Sequence, residues 1–366
     1  MALGVTDTAA PVTGAPWPIL GQERAVATLQ GAIARDGVAH AYLFAGPPQS
    51  GRATLARLFA QTLTCDAVAT AGPALAPCGQ CRSCRKIERG VHPDVQVVSR
   101  ASQEEAGTAG KREAKHTTLS IDTIRELTEN LSLRPMESRW RVAIVADAET
   151  MQREAASAFL KTLEEPPPYA VLILLTTEVG AVLPTVRSRC QVVELRPVAR
   201  DELARALTAR HGAPPADARA LASLARGRAG WAIAAAGRPD FLAERRAALD
   251  AMLGLLQGPP TDLFALVDRL AERFRRGKRD DVYAELDDWL GLWRDLLLVR
   301  SGCEELVLNA DHGGPLRALA GRYDTARLRD AVAATRDALR QLDANVAPRL
   351  ALEAMVLRWS EGTPGA

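Results

Sequence analysis

Apolar positions follow two rhythms along this 366-residue chain. Up to about residue 195, short unbroken apolar runs alternate with stretches of helical period: Tyr42-Leu43-Phe44-Ala45, Val95 to Val98, Arg141 to Glu149, Val171 to Leu175 and Gln191 to Leu195. Such runs predict strands covered on both faces, as in a parallel sheet. Between them, Val26, Leu29, Ala32 and Ile33 keep a helical period, as do Leu55, Leu58, Phe59 and Leu63. Ser120 is suited to cap a helix that places Ile121, Ile124, Leu127 and Leu131 on one face, with Asp122 in the favourable first turn. A further helix, Met151 to Leu163, buries Ala155, Phe159 and Leu163 and stops before Pro166-Pro167. Strand and helix in alternation predict an α/β domain. Beyond residue 240 only the helical rhythm remains, through at least five segments, and Trp289, Trp293 and Leu297 recur at four-residue intervals on one face.

The change of rhythm divides the chain into a loose leader over 1–16, an α/β domain over 17–197, a small three-helix lid over 198–240 and an all-helical domain over 241–366. The polar stretch 100–118 reads as a solvated surface loop, with contact to DNA as its functional alternative. Composition adds mainly exclusions. With 46 basic and 44 acidic residues the net charge is +2, which gives no broad grip on nucleic acid. No apolar run is long enough to cross a bilayer, and the first twenty residues carry no Lys or Arg, so a soluble, cytoplasmic protein is expected.

In a reducing compartment, clustered cysteines suggest metal rather than disulfides. Cys65, Cys78, Cys81 and Cys84 follow the spacing C-x₁₂-C-x₂-C-x₂-C. Short Cys-x₂-Cys turns let sulfurs converge on one tetrahedral Zn²⁺, and four sulfurs leave no open position, so the zinc is expected to be structural. His92, nearby in Val91-His92-Pro93-Asp94, reads as a turn residue; Cys190 and Cys303 read as small buried hydrophobes.

Between the first strand and its helix lies Gly46, four residues, and Gly51: the spacing of a Walker A phosphate loop. A working loop continues with a Lys for the outer phosphates and a Ser or Thr for Mg²⁺. Here those places are Arg52 and Ala53. Arg keeps the charge as a wide planar fork, and Ala has no oxygen for a metal. Where a Walker B pair belongs, the places of Asp and Glu fall on Ala146 and Asp147, with Glu149 beyond them. Thr176-Thr177 closes a later strand where a polar side chain would sense a γ-phosphate, and Arg189 stands in Ser188-Arg189-Cys190 before the last strand.

The blocks AHAYLFAG, CGQCRSC, HPD, KTLEEPP and RSRC, in this order, resemble the clamp-loader AAA+ subunits of bacterial DNA polymerase III and cover nearly all of residues 19–197. Within that family the losses at Arg52, Ala53, Ala146 and Asp147 resemble the delta-prime type rather than the ATP-hydrolysing gamma/tau type. The resemblance implies an AAA+ parallel-sheet domain with a zinc-module insertion, a helical lid and an all-α collar. It implies gamma/tau and delta partners in a five-subunit ring that loads a sliding clamp on primer-template DNA, and Arg189 as an arginine finger acting in trans. Active relatives carry a nucleotide-sensing Arg in the lid, and here Gly230 stands at that place, with Arg228 two residues away. No ATP hydrolysis by this chain is expected. The alternatives are a gamma/tau-like ATPase with Glu149 or Asp147 as base, and a zinc-dependent adaptor with a dead AAA+ fold.

Overall fold

The computed structural model describes residues 17–71, 75–100, 118–309, 312–344 and 346–360. The expected leader over 1–16 and the interior of the expected loop over 100–118 lie outside these residues. Five strands form one sheet: β1 (Ala41–Ala45), β2 (Val95–Val98), β3 (Arg141–Val145), β4 (Ala170–Thr176) and β5 (Gln191–Glu194). All pair in parallel, in the order β2-β3-β4-β1-β5. β1 and β4 are buried along their whole length, which is why their sequences are unbroken apolar runs.

Side chains alternate across each strand, so the sheet builds two cores. Tyr42, Phe44, Ile144 and Ile173 face helices α1 (Glu23–Ala34) and α2 (Arg52–Thr64). After α2 come α3 (Asp66–Ala71) and α4 (Arg82–Glu88), which bracket the cysteine loop. On the other face Leu43, Val145, Leu172 and Leu174 pack with α5 (Ile121–Ser132) and α6 (Arg153–Glu164). Ser120 caps α5 as expected, its hydroxyl accepting the Thr123 N–H at 3.2 Å.

Two boundaries differ from the periodicity. The run Arg141 to Glu149 stops being a strand at Val145, after which Asp147 adopts a left-handed φ of 55° and a short 3₁₀ turn spans Ala148–Thr150. Asp tolerates that conformation better than most residues, so the acidic end of the run becomes a corner. The next helix starts at Arg153 rather than Met151, because Gln152 is extended at ψ 161° and Met151 forms a backbone bridge to Leu119.

Beyond β4, α7 (Pro184–Arg187) precedes β5, followed by α8 (Arg200–His211), α9 (Pro215–Ala225) and α10 (Ala229–Ala236). Six helices then follow among the described residues: α11 (Phe241–Gln257), α12 (Pro260–Arg275), α13 (Arg279–Arg300), α14 (Gly313–Ala320), α15 (Thr325–Asp343) and α16 (Pro348–Ser360). The chain falls into two compact units, the first running to Pro215 and including Ala225–Ala234, the second comprising Ala216–Leu224 and the chain from Ala235. The second unit has its own core, centred on Trp289, Trp293 and Trp359, with the Trp289 and Trp359 rings 4.7 Å apart. Leu297 packs against that core from the same helix.

Candidate functional site

The Gly46–Gly51 turn is tightly held. Gly46 donates its N–H to the Thr176 carbonyl at 3.2 Å, and a Cβ there would meet the Leu195 carbonyl oxygen at 2.8 Å. Gly51 enters α2 with φ 101°, a left-handed value that favours glycine. Arg52 therefore begins α2 at the helix N-terminus, where a phosphate would sit, and Ala53 beside it is exposed.

Acidic groups face this arginine. Burial lowers the Arg52 pKa, and Glu149 and Asp147 oppose that shift. Glu149 is more closely engaged than its distance along the chain from Ala146 suggests: its Oε1 accepts from the Thr177 hydroxyl at 3.0 Å and from the Thr177 N–H at 3.3 Å. Burial alone would raise its carboxyl pKa, but hydrogen bonds from its own N–H, Thr177 and Thr176 outweigh it and hold the pKa low. Thr176-Thr177, expected to face a γ-phosphate, thus meets a carboxylate of this chain, while Asp147 pairs with Arg100 at 3.4 Å. Ala146 directly follows β3 and donates its N–H to the Val98 carbonyl.

Gly230 closes the loop from a third side. Its N–H donates to the Gln49 carbonyl at 2.9 Å, and a Cβ at Gly230 would lie 3.0 Å from that oxygen. A side chain there requires the Gln49 backbone to give way by a few tenths of an ångström. Arg228 does not replace it: its Nε donates to the Ala225 carbonyl at 3.0 Å, and its guanidinium lies over the Trp231 ring.

The four cysteines do converge. The Sγ atoms of Cys65, Cys78, Cys81 and Cys84 lie within 4.8 Å of one another, and those of Cys65 and Cys81 are 3.9 Å apart. Tetrahedral Zn²⁺ with Zn–S bonds of about 2.3 Å places its sulfurs about 3.8 Å apart, so the donor set fits zinc. Backbone N–H groups already point at the sulfurs: Gln80 and Cys81 donate to Cys78, and Cys84 donates to Cys81. Against the effect of burial, these bonds bring the Cys78 thiol down to about 7. Burial and the neighbouring sulfurs push Cys84 up, the conflict that a divalent cation at the centre removes.

His92 stands outside this group, its Nδ1 accepting the Asp94 N–H at 3.1 Å. Asp94 in turn clasps the turn after α5, accepting from the N–H groups of Met136, Glu137 and Ser138 at 2.7, 2.7 and 3.0 Å. His92 opens a turn as expected, its carbonyl accepting the Val95 N–H at 3.2 Å, whereas the clasp of Asp94 on the turn after α5 was not legible in the sequence.

Ser188-Arg189-Cys190 divides its three side chains between jobs. Cys190 packs half-buried against the sheet's second core, its thiol against the Val186 carbonyl and pushed by burial up to about 12, and Cys303 in the second unit is likewise half-buried, so neither is the fully buried residue expected. Arg189 is part-exposed: its Nη1 donates to the Thr185 carbonyl at 2.9 Å and its Nη2 to Glu164 Oε1 at 2.5 Å. Glu164 carried no assigned role in the sequence, although it sits inside KTLEEPP.

Residues 21–199 match the family model described as DNA polymerase III, delta subunit. The Bacillus subtilis DNA polymerase III subunit delta' is 28% identical over 342 residues, covering 93% of this chain and 97% of that protein. The gamma/tau subunit of Mycobacterium tuberculosis is 35% identical over 171 residues, covering 47% of this chain; the chain spans only 27% of that relative's length. Among solved structures, a gamma subunit-related protein of Thermotoga maritima aligns over 92% of this chain and 99% of its own at 18% identity, with a TM-score of 0.42.

Proposed function

Because this chain belongs to the clamp-loader family of DNA polymerase III subunits, we propose that it is a delta-prime-type member that does not hydrolyse ATP. The observation that carries this reading is what surrounds the phosphate loop. Places where a hydrolysing site has a working side chain hold residues unable to do the same chemistry, with Arg52 and Ala53 at the helix start, Ala146 at the strand end, and Gly230 against Gln49. Similarity to a delta' protein along both units supports the same choice.

In this reading Arg189 works for a neighbouring gamma/tau-type subunit, where a fixed guanidinium stabilises charge developing on a γ-phosphate. Its guanidinium is part-exposed and held by Thr185 and Glu164 with donors to spare, which suits a group presented to a neighbour. Cys65, Cys78, Cys81 and Cys84 would hold a structural Zn²⁺. The partners would be gamma/tau and delta subunits in a five-subunit ring, and through them a sliding clamp and primer-template DNA in the cytoplasm. No helix among the described residues is long and apolar enough to cross a membrane.

One observation favours the gamma/tau-like alternative. Glu149 lies beside Thr177 near Arg52, and its Oε2 has no partner among the described residues, as a base would require. Ala53 weighs against it, since it leaves Mg²⁺ without its hydroxyl.

Two measurements test the proposal. The isolated chain is titrated with labelled ATP and assayed for phosphate release; sustained turnover at ordinary AAA+ rates would overturn it. A complex reconstituted with gamma/tau and delta subunits is then compared with one carrying Arg189→Ala. Clamp-stimulated ATPase is expected to fall with assembly intact, and an unchanged rate would remove the finger.

A further inference from the structure

Resting on the in-trans reading of Arg189, we propose that Glu164 is its positioning residue, holding the guanidinium so that its remaining N–H donors face the neighbouring subunit. The two residues lie 25 positions apart and meet through a contact between α6 and α7. Both ends of that contact are rigid. Glu164 closes α6 directly after Leu163, which is 2% exposed, and the helix ends because Pro166 drives Glu165 out of helical conformation. Arg189 follows Val186, 1% exposed, donates its backbone N–H to the Val186 carbonyl, and precedes the half-buried Cys190.

The carboxylate is also selective. Lys161 lies one turn earlier on α6 and Arg187 two residues before Arg189, yet among the described residues Glu164 pairs with Arg189 alone. A guanidinium has five N–H donors. Thr185 and Ser188 are met by Nη1 and Glu164 by Nη2, which leaves Nε and the second Nη2 hydrogen uncommitted among the described residues.

A pair this exposed adds little to stability, since solvent screens it; side-chain relative exposures are 35% for Arg189 and 51% for Glu164. Its effect is geometric. A free Arg side chain samples many rotamers, and a catalytic cation displaced by about 1 Å loses much of its effect. The carboxylate also subtracts positive charge from the finger, so the inference requires that gained alignment outweighs lost field.

The test uses the reconstituted complex with clamp and primed DNA, measuring kcat and KM for ATP. Glu164→Ala is expected to lower kcat about fivefold while KM, assembly by gel filtration and thermal midpoint stay as in the parent. Combined with Arg189→Ala it should give the rate of Arg189→Ala alone, because Glu164 acts only through that arginine. Glu164→Gln and Glu164→Asp separate reach from charge: Gln keeps the acceptor in place and should retain most of the rate, whereas Asp keeps the charge but falls short by a methylene and should behave like Ala. An unchanged or raised kcat in Glu164→Ala overturns the inference, as does an Asp variant more active than the Gln variant, or a double variant slower than Arg189→Ala. If Arg189→Ala is itself without effect, the finger reading falls and takes the inference with it; if only the Glu164 variants are without effect, the finger stands and the inference alone falls.

Discussion

Arg52 stands where a compact ammonium would meet outer phosphates, yet it faces acids of its own chain. In the proposed reading, replacing it alone would not rebuild a hydrolysing site, because Ala53, Ala146, Asp147 and Gly230 stand at its other places. Arg52→Lys with Ala53→Thr is therefore expected to admit ATP to the loop without producing turnover, checked by equilibrium binding and phosphate release. Turnover in that variant would mean that Glu149 serves as the missing base. That Arg52, Ala53 and Ala146 occupy these places was legible in the sequence because motif spacing alone assigns each one. The partners of Glu149 and Glu164 were not, since Thr177 is 28 residues from the first and Arg189 is 25 from the second. Such pairs depend on which strands and helices become neighbours, and no local period encodes that. Gly230 lay between the two cases: its identity was visible, but the close approach of the Gln49 carbonyl that crowds any side chain there was not.

The short elements gain their order from polar anchors, because α3 and α4 are too brief to stand on helix propensity. Cys81 caps α4 by accepting the Cys84 N–H and is also one of the four converging sulfurs. Metal analysis is expected to find about one zinc per chain, and Cys81→Ser should lose both metal and the α4 turn, read as new protease cleavage between residues 75 and 90. Retained protection without metal would refute a structural zinc.

Asp94 does comparable work for the turn after α5. Burial would raise its carboxyl pKa, but the N–H groups of Met136, Glu137 and Ser138 and the Ser138 hydroxyl outweigh it and hold the pKa below the usual carboxylate range. A depressed pKa means that the contribution to stability is complete above the unfolded value of about 3.9 and is lost as pH falls through the lower folded value. Asp94→Ala should cost about 3 kcal/mol at pH 7, since three part-buried hydrogen bonds lose a buried charged acceptor. The difference from the parent, followed by urea denaturation, should hold from pH 7 to 5 and shrink below about pH 4.

Across the whole molecule the two apolar rhythms of the sequence correspond to separate cores. One set of side chains, on both faces of the sheet, lies in the first unit, and another, around Trp289, Trp293 and Trp359, lies wholly in the second. The four converging cysteines belong to the first unit, where Cys65 and Cys84 are buried among its residues. Cooperative unfolding follows shared cores, so two thermal transitions are expected rather than one. Tryptophan distinguishes them: Trp17, Trp140 and Trp231 report the first unit, and the close trio dominates the near-ultraviolet circular dichroism of the second. Stripping the metal with a chelator should lower the first transition, because a ligand that binds only the folded state stabilises that unit by mass action. The second transition should not move. Trp289→Ala should do the reverse, lowering the second transition by about 3–5 kcal/mol of stability while leaving the chelator-sensitive one in place. A single transition that shifts as a whole under both treatments would mean that the two cores unfold as one.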